Sequence, residues 1–281
     1  MVEVTDVPIR SCAKISAMTT GQIRLGDSRT APRRMAVKVP EVTMYFWLVK
    51  VLTTGMGETT SDFLAHLMDP VIAVGLAGCA LAIALVAQFR TRSYVPWLYW
   101  AAVVLVSVFG TMAADVLHVG FGIPYAVSTV FFAVALAAVF GLWYATEKTL
   151  AIHSITTFRR ELFYWLAVVT TFALGTAAGD LTATTLHLGY LGSGVAFAVL
   201  IALPPLARRW LGLNAVFAFW VAYVLTRPLG ASFADWMGVS AGRGGLDLGT
   251  GPVSLALLVA ILALVGYLSV TRKDVARTDD V

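Results

Sequence analysis

The chain contains apolar stretches of the length that a membrane-spanning helix requires. Such a helix needs about 20 mostly apolar residues. Eight stretches qualify, at roughly residues 42–66, 70–88, 95–118, 122–145, 162–187, 190–207, 212–237 and 251–270. Charged residues make up only 13% of the sequence, against about 25% in an ordinary globular chain. The sequence therefore predicts an all-α integral membrane protein with eight transmembrane helices.

The composition and the missing motifs exclude several other classes of protein. Cys12 and Cys79 lie far apart, one in a polar tail and one in an apolar stretch, so they indicate neither a disulfide framework nor a metal site. The basic residues fall in short segments between apolar stretches and form no phosphate-binding stripe, which argues against a nucleic-acid partner. A phosphate loop and the common hydrolase motifs are also missing, which disfavours an ATP-driven pump or a hydrolase.

The positions of the basic residues predict the orientation in the membrane. Cations are enriched in the cytoplasmic connections of membrane proteins. Outside the predicted spans, every Lys and Arg except Arg243 lies in a terminal tail or in alternate connections. We therefore expect both termini in the cytoplasm, in a multi-pass protein of the bacterial inner membrane.

The chain is expected to contain one large domain between two tails. Residues 1–38 are polar and lack periodicity, which predicts a disordered cytoplasmic tail without a signal peptide. Met35 is an alternative start, because the sequence that follows it leads directly into the first span. The transmembrane domain is assigned to residues 39–272 and a short cytoplasmic tail to residues 273–281.

A fourfold internal repeat is the most specific pattern in the sequence. Each odd-numbered span carries a tryptophan, a glycine ten residues later and an aspartate five residues after that. The tryptophans are Trp47, Trp100, Trp165 and Trp220; the glycines are Gly57, Gly110, Gly175 and Gly230; the aspartates are Asp62, Asp115, Asp180 and Asp235. The pattern predicts four two-helix units, at about residues 39–92, 93–158, 159–211 and 212–272.

The even number of spans in each unit sets how the units are related. All four insert the same way up, so we expect a pseudo-symmetry axis along the membrane normal. The odd spans carry the charges, and packing them around this axis leaves the apolar even spans facing lipid.

This layout, with its four characteristic tryptophans Trp47, Trp100, Trp165 and Trp220, resembles a family of bacterial membrane proteins. That family is defined by four tandem repeats of unknown function, each with two transmembrane segments. The resemblance covers roughly residues 38–272 and implies an integral inner-membrane protein. It implies no particular activity.

The repeated aspartates are the strongest candidates for a functional site. At 1.5 Å per residue, they lie near the outer edge of the hydrocarbon layer and the tryptophans near the inner edge. Four anions around one axis repel one another and favour a bound cation. Glu58 lies one helical turn before Asp62 and joins the set. The alternative interpretation is interfacial: polar aspartates at one surface and an aromatic belt of tryptophans at the other.

Three histidines follow the repeated aspartates and suggest a metal. His66, His118 and His187 lie three to seven residues after Asp62, Asp115 and Asp180. Oxygen and imidazole ligands together suit divalent transition metals. The alternative is that each histidine forms a structural hydrogen bond at the membrane interface.

Two basic residues lie inside spans and require partners. Lys50 lies in the first span and Arg227 in the seventh. We expect Lys50 to pair with Glu58, and Arg227 to pair with Asp235 or Glu58, either as a static ion pair or as counter-charges to a transported ion. Pro228 directly follows Arg227 and predicts a break in the seventh helix.

Together these features favour a secondary transporter or permease for a cation, with a divalent metal or a proton as candidate ions. Asp62, Asp115, Asp180, Asp235 and Glu58 would bind the ion. The alternative is a non-transporting membrane scaffold or sensor, in which the aspartates specify helix packing. A membrane-embedded enzyme is a third and less favoured class, because no nucleophile and base are paired in the sequence.

Overall fold

The computed structural model describes residues 37–275, and within this range the chain is helical and contains no strand. Eight long helices follow one another: α1 Met44–Leu67, α2 Pro70–Arg90, α3 Pro96–Asp115, α4 Tyr125–Glu147, α5 Phe158–Asp180, α6 Gly189–Leu211, α7 Ala215–Gly238 and α8 Thr250–Thr271. Short π-helices, Val116–Gly120 and Leu181–Thr185, extend α3 and α5. Most of the predicted tail, with Met35, lies outside the described residues.

The helices begin where capping residues and prolines interrupt the apolar sequence. The Asp69 side chain accepts hydrogen bonds from the first backbone N–H groups of α2, and Asn214 does the same for α7. Pro70 and Pro96 occupy the first positions of α2 and α3, where no backbone donor is needed. Local sequence thus fixes the boundaries between helices.

Seven of the eight helices are long and apolar enough to cross a membrane, which supports a multi-pass membrane protein. The exception is α1, because Lys50, Glu58 and Asp62 lower its hydropathy. Pro228 lies inside α7 without ending it, so the predicted break at this residue is wrong. A transmembrane helix tolerates an internal proline when neighbouring helices or side chains satisfy the backbone groups that the proline leaves free.

The four odd-numbered helices form a closed ring. Helix α1 packs against α3, α3 against α5, α5 against α7, and α7 against α1. More than half of the residues in α3, α5 and α7 are buried, compared with about a fifth in the even-numbered helices. Each even helix packs most extensively on the odd helix that follows it, and α8 closes the series by packing on α1. This is the packing that the charge distribution predicts.

The repeated glycines allow the odd helices to approach closely. Each glycine faces the next odd helix around the ring, at the equivalent position of the following repeat. An added Cβ would lie 1.8 Å from an atom of Ser107 at Gly57, 2.8 Å from Phe172 at Gly110, 2.4 Å from Arg227 at Gly175 and 1.9 Å from Thr54 at Gly230. Small residues at such contacts are typical of packed membrane helices.

We expect Gly230→Ala to destabilise the ring by about 1–3 kcal/mol, because overpacking a tight contact forces the helices apart. The new methyl group would lie 2.7 Å from the Val51 carbonyl oxygen, and a main-chain atom cannot rotate away. Gly141→Ala is the matched control, since nothing lies within 4 Å of a Cβ there. Thermal unfolding in detergent measures both, and equal melting temperatures would contradict the close approach.

Three of the four signature tryptophans belong to the core, and Trp47 is partly buried. Trp100, Trp165 and Trp220 are at most 5% exposed, and the Trp220 indole N–H donates to the carbonyl oxygen of Leu150 at 3.0 Å. The interfacial-belt interpretation is therefore wrong for these three residues. They pack with neighbouring aromatic rings inside the end of the ring opposite the repeated aspartates.

The segment before α1 seals that same end of the bundle. Lys38, predicted to lie in the disordered tail, is buried and forms a 2.6 Å ion pair with the buried Glu161 of α5. The Lys38 ammonium also donates to the carbonyl oxygen of Phe89, and the Glu41 backbone N–H donates to Asp274. These contacts tie the segment to α2, α5 and the residues after α8.

Candidate functional site

Arg227 lies at the centre of the ring. Its side chain is fully buried and hydrogen-bonds to each of the other odd helices. The guanidinium pairs with the Glu58 carboxylate of α1 and donates to the Thr111 hydroxyl of α3. It also donates to the Thr176 hydroxyl of α5 at 2.8 Å and to the Thr54 carbonyl oxygen at 3.3 Å. One cation thus joins all four odd helices.

The repeat register explains this convergence. Glu58, Thr111 and Thr176 each follow the repeated glycine of their own unit, and Ala231 takes the same place in the fourth unit. Because the glycines face neighbouring helices, the residues that follow them turn toward the ring axis. Three polar groups from three units therefore meet the arginine of the fourth.

The repeated aspartates lie about one helical turn beyond this layer, toward the C-terminal ends of the odd helices. We name Glu58, Asp62, Asp115, Asp180 and Asp235 the acidic cluster. Each of the four aspartates is close enough to Glu58 to repel it electrostatically. Asp235 is 7% exposed, whereas Asp62, Asp115 and Asp180 are partly exposed. The structure therefore places the predicted carboxylates in one region, within electrostatic range of Glu58 and Arg227.

Two of these aspartates lie at irregular points of their helices. Asp115 ends α3 and Asp180 ends α5, and a π-helix follows each directly. Asp115 also accepts a hydrogen bond from the Ser61 hydroxyl at 3.3 Å. Short π-helical segments are frequent at functional sites because they redirect side chains and loosen the backbone ladder.

Comparison with known proteins gives the same internal division as the repeat. Residues 45–94, 98–149, 163–211 and 218–274 each match the repeat of unknown function DUF347. The chain belongs to the DUF347 repeat family. The family resemblance and the fourfold repeat expected from the sequence are thereby confirmed. No curated protein and no solved structure matches this DUF347 protein.

Lys50 of the DUF347 protein lies on the ring axis, farther from the acidic cluster than Arg227. The rings of Phe172 and Tyr223 surround it and form an aromatic cage. Its ammonium lies 3.8 Å from the centre of the Phe172 ring and 4.4 Å from that of Tyr223. Among residues 37–275 it has no hydrogen-bond partner. The predicted pairing of Lys50 with Glu58 is therefore wrong, and Glu58 pairs with Arg227 instead. The cage stabilises a cation without neutralising its charge.

The three histidines do not gather around the acidic cluster. His66 and His187 are exposed. His118 is buried against the Tyr125 ring at 4.3 Å, and neither of its ring nitrogens has a partner within the described residues. In that part of the chain, no three His, Cys, Asp or Glu residues form a group that could hold a metal ion. This finding applies to the carboxylates of the acidic cluster as well as to the histidines.

Sequence reasoning missed several residues of the site. Thr111 and Thr176 follow the repeated glycines, and that position is the signal that could have identified them as axis residues. Phe172 is equivalent in the repeat to Arg227, and Tyr223 is equivalent to Lys50. Aligning the repeats could therefore have identified these two aromatic residues as well. The Lys38–Glu161 pair has no such signal, because neither residue belongs to the repeated pattern.

Proposed function

We propose that this DUF347 protein is a membrane transport protein for a small cation, which binds at the acidic cluster. The observation that supports this proposal is that five carboxylates lie in one region at the end of the ring and act on one another electrostatically, and that Arg227 pairs with one of them, Glu58. Buried or half-buried anions of like sign repel one another strongly unless a cation joins them. The acidic cluster has the composition expected of a cation-binding site.

The proposed architecture has eight spans, with α1 crossing the membrane beside its seven apolar neighbours. Inside the ring, its polar residues contact protein and avoid lipid, which offsets its low hydropathy. The cyclic contacts of the repeated glycines support four units related by a pseudo-fourfold axis along the membrane normal. Such parallel repeats are found in transporters, with the binding site on the shared axis.

The proposed orientation has both termini in the cytoplasm of a bacterium and the acidic cluster facing outward. The distribution of basic residues supports it, since Arg243 is the exception on the outer side among the connections and tails. On the side of Arg227 away from the acidic cluster, the Lys50 cage and the buried tryptophans fill the ring axis. The conformation described is therefore closed toward the cytoplasm.

The ligand atoms available at the acidic cluster are carboxylate and hydroxyl oxygens. Oxygen donors suit hard cations such as Mg²⁺, Ca²⁺ and Mn²⁺, and they also suit a proton. We therefore propose a divalent metal ion or a monovalent cation as the cargo. His66, His118 and His187 would act at most at the outer rim, since two of them are exposed.

A scaffold is the second candidate, and the hydrogen bonding of Arg227 favours it. A guanidinium that bonds to α1, α3 and α5 would hold the ring together without any transported ion. The two functions differ in their response to cations: a transporter is stabilised by the ion that it binds, whereas a scaffold is indifferent to it.

We expect a cation to raise the melting temperature of the purified protein. A ligand present at 100 times its Kd stabilises the folded state by about 2.7 kcal/mol. The panel contains Mg²⁺, Ca²⁺, Mn²⁺, Zn²⁺, Na⁺ and K⁺, tested on the wild type, Asp115→Asn and Asp180→Asn. Asp247→Asn is the control, because Asp247 is exposed in the outer loop and asparagine tolerates its positive φ.

Wild type and control should respond to the same cation, and the two axis variants should lose the response. If no cation stabilises the wild type while both axis variants lower its stability, the scaffold is the better function.

A further inference from the structure

A line of buried polar side chains runs from Lys50 toward the closed end of the bundle, apart from the acidic cluster. It consists of Tyr223, Tyr164, Tyr99, Tyr94 and Asp274. All except Tyr94 are at most 1% exposed. Hydroxyl groups in an apolar core are costly unless they are hydrogen-bonded, so a continuous series of them needs an explanation.

We propose that this line is a proton path, with Lys50 as the proton-binding group at its inner end and Asp274 at its outlet. The path links the ring axis to the face of the bundle that carries the segment before α1 and the residues after α8. It adds proton transfer to the proposed movement of a cation, and that coupling rests on the proposed function.

The contacts along the line support transfer between neighbours. The Tyr99 and Tyr164 hydroxyls are hydrogen-bonded at 2.5 Å. The Tyr94 ring lies edge-on to the Tyr99 ring with centroids 5.6 Å apart, and the Tyr94 hydroxyl donates to Asp274 at 2.5 Å. Asp274 lies between the exposed residues Lys273 and Val275. The line therefore ends directly beneath the protein surface.

The inner end of the line contains two unsatisfied polar groups. The Lys50 ammonium lies over the ring of Tyr223, and neither it nor the Tyr223 hydroxyl has a hydrogen-bond partner among the described residues. Tyr223 in turn lies close enough to Tyr164 for their hydroxyls to interact electrostatically. Side-chain rotation that joins Lys50, Tyr223 and Tyr164 would satisfy both groups. A similar movement between the Tyr99 and Tyr94 hydroxyls, whose rings are already in contact, would complete the path.

The chemistry conserves protons and involves no redox step. Lys50 gives one ammonium proton to the Tyr223 oxygen as that hydroxyl passes its own proton onward, and each tyrosine repeats the exchange. The last proton reaches the Asp274 carboxylate and then water. Burial and the hydrogen bond to Asp274 raise the pKa of the Tyr94 hydroxyl above its usual range, so at neutral pH it retains the proton that a relay must pass on.

Electrostatics would couple this path to the acidic cluster. Lys50 is close enough to Arg227 for the two positive charges to repel each other. A cation bound among the carboxylates adds positive charge to the same axis, which favours proton release from Lys50. When the cation leaves, Lys50 takes up a proton again through the same path.

The test measures proton release by the purified full chain in detergent, with a pH-sensitive dye in weakly buffered solution. The cations of the stability panel are added to trigger release, and cation uptake into proteoliposomes is measured in parallel. We expect Tyr164→Phe and Tyr99→Phe to slow the pH change by roughly 10²-fold, the usual contribution of a positioned proton-transfer group. Lys50→Met should abolish it. Tyr144→Phe, on an exposed face of α4, should match the wild type.

The outcomes separate the path from the proposed function. Proton movement that is unchanged in both tyrosine variants, or absent from a wild type that transports cations, would overturn the path and leave cation transport intact. Proton movement that depends on Tyr164 and Tyr99 in a protein without cation uptake would support the path and overturn the proposed function. Phenylalanine keeps the aromatic packing, and melting temperatures verify that each variant is folded.

Discussion

Replacing Arg227 with glutamine should destabilise the protein by about 3–5 kcal/mol, the usual cost of removing one partner of a buried ion pair. The change leaves the Glu58 carboxylate without its counter-charge and removes donors to Thr111 and Thr176. Glutamine keeps the Cβ and Cγ atoms that pack against Gly175, so the loss reports on charge and hydrogen bonding. Reversible unfolding of the purified protein in mixed micelles measures the free energy.

A double-mutant cycle with Glu58→Gln sharpens this prediction. In the double variant neither charge is left unpaired, so its loss of stability should be smaller than the sum of the two single losses. Arg209→Gln is the control for removing an exposed arginine from the same chain. Additive losses, or a loss in Arg227→Gln no larger than in the control, would contradict a structural ion pair on the ring axis.

The repeat made much of this architecture predictable. The spacing of tryptophan, glycine and aspartate identified the odd helices and the aspartates that lie near Glu58 at one end of the ring. Apolar length located the eight helices. These features depend on local sequence and on the register between repeats, and a single sequence supplies both kinds of information.

The sequence analysis left Glu58 with two possible partners among the intramembrane cations, and only the pairing with Lys50 is wrong. Lys50 lies eight residues before Glu58 on the same helix, or roughly 12 Å along its axis. Arg227 is equivalent in the repeat to Thr54, four residues before Glu58 and roughly 6 Å away in depth. Aligning the repeats and comparing the depths of the two cations in the membrane would have favoured Arg227 as the partner of Glu58. The sequence of α1 alone does not contain this information.

The features that escaped prediction depend on which face of a helix is buried. A tryptophan near the end of a span occurs both in aromatic belts and in protein cores, and the sequence around it is the same in the two cases. The burial of Trp100, Trp165 and Trp220 therefore could not be predicted. Lys38 appears in a polar segment without periodicity. Its burial depends on Glu161, a partner 123 residues away, and charge pairs at such separation leave no local pattern.

Cation transport through the ring should depend on Asp115 and Asp180. Asparagine keeps the shape of each side chain and removes its charge, so the double variant Asp115→Asn/Asp180→Asn takes two anions from the acidic cluster with little change in packing. The four aspartates and Glu58 act on one another, and the loss of two charges therefore weakens the attraction of the whole cluster for a cation. We expect transport to fall much further than stability.

Uptake of the cation that stabilises the wild type, measured in sealed proteoliposomes, tests the acidic cluster most directly. The wild type and Asp247→Asn should take up the ion well above the rate of protein-free liposomes, and the folded double variant should not exceed that background. Equal uptake by the double variant and the wild type, or a wild type that never exceeds protein-free liposomes, would contradict a cation pathway at these carboxylates.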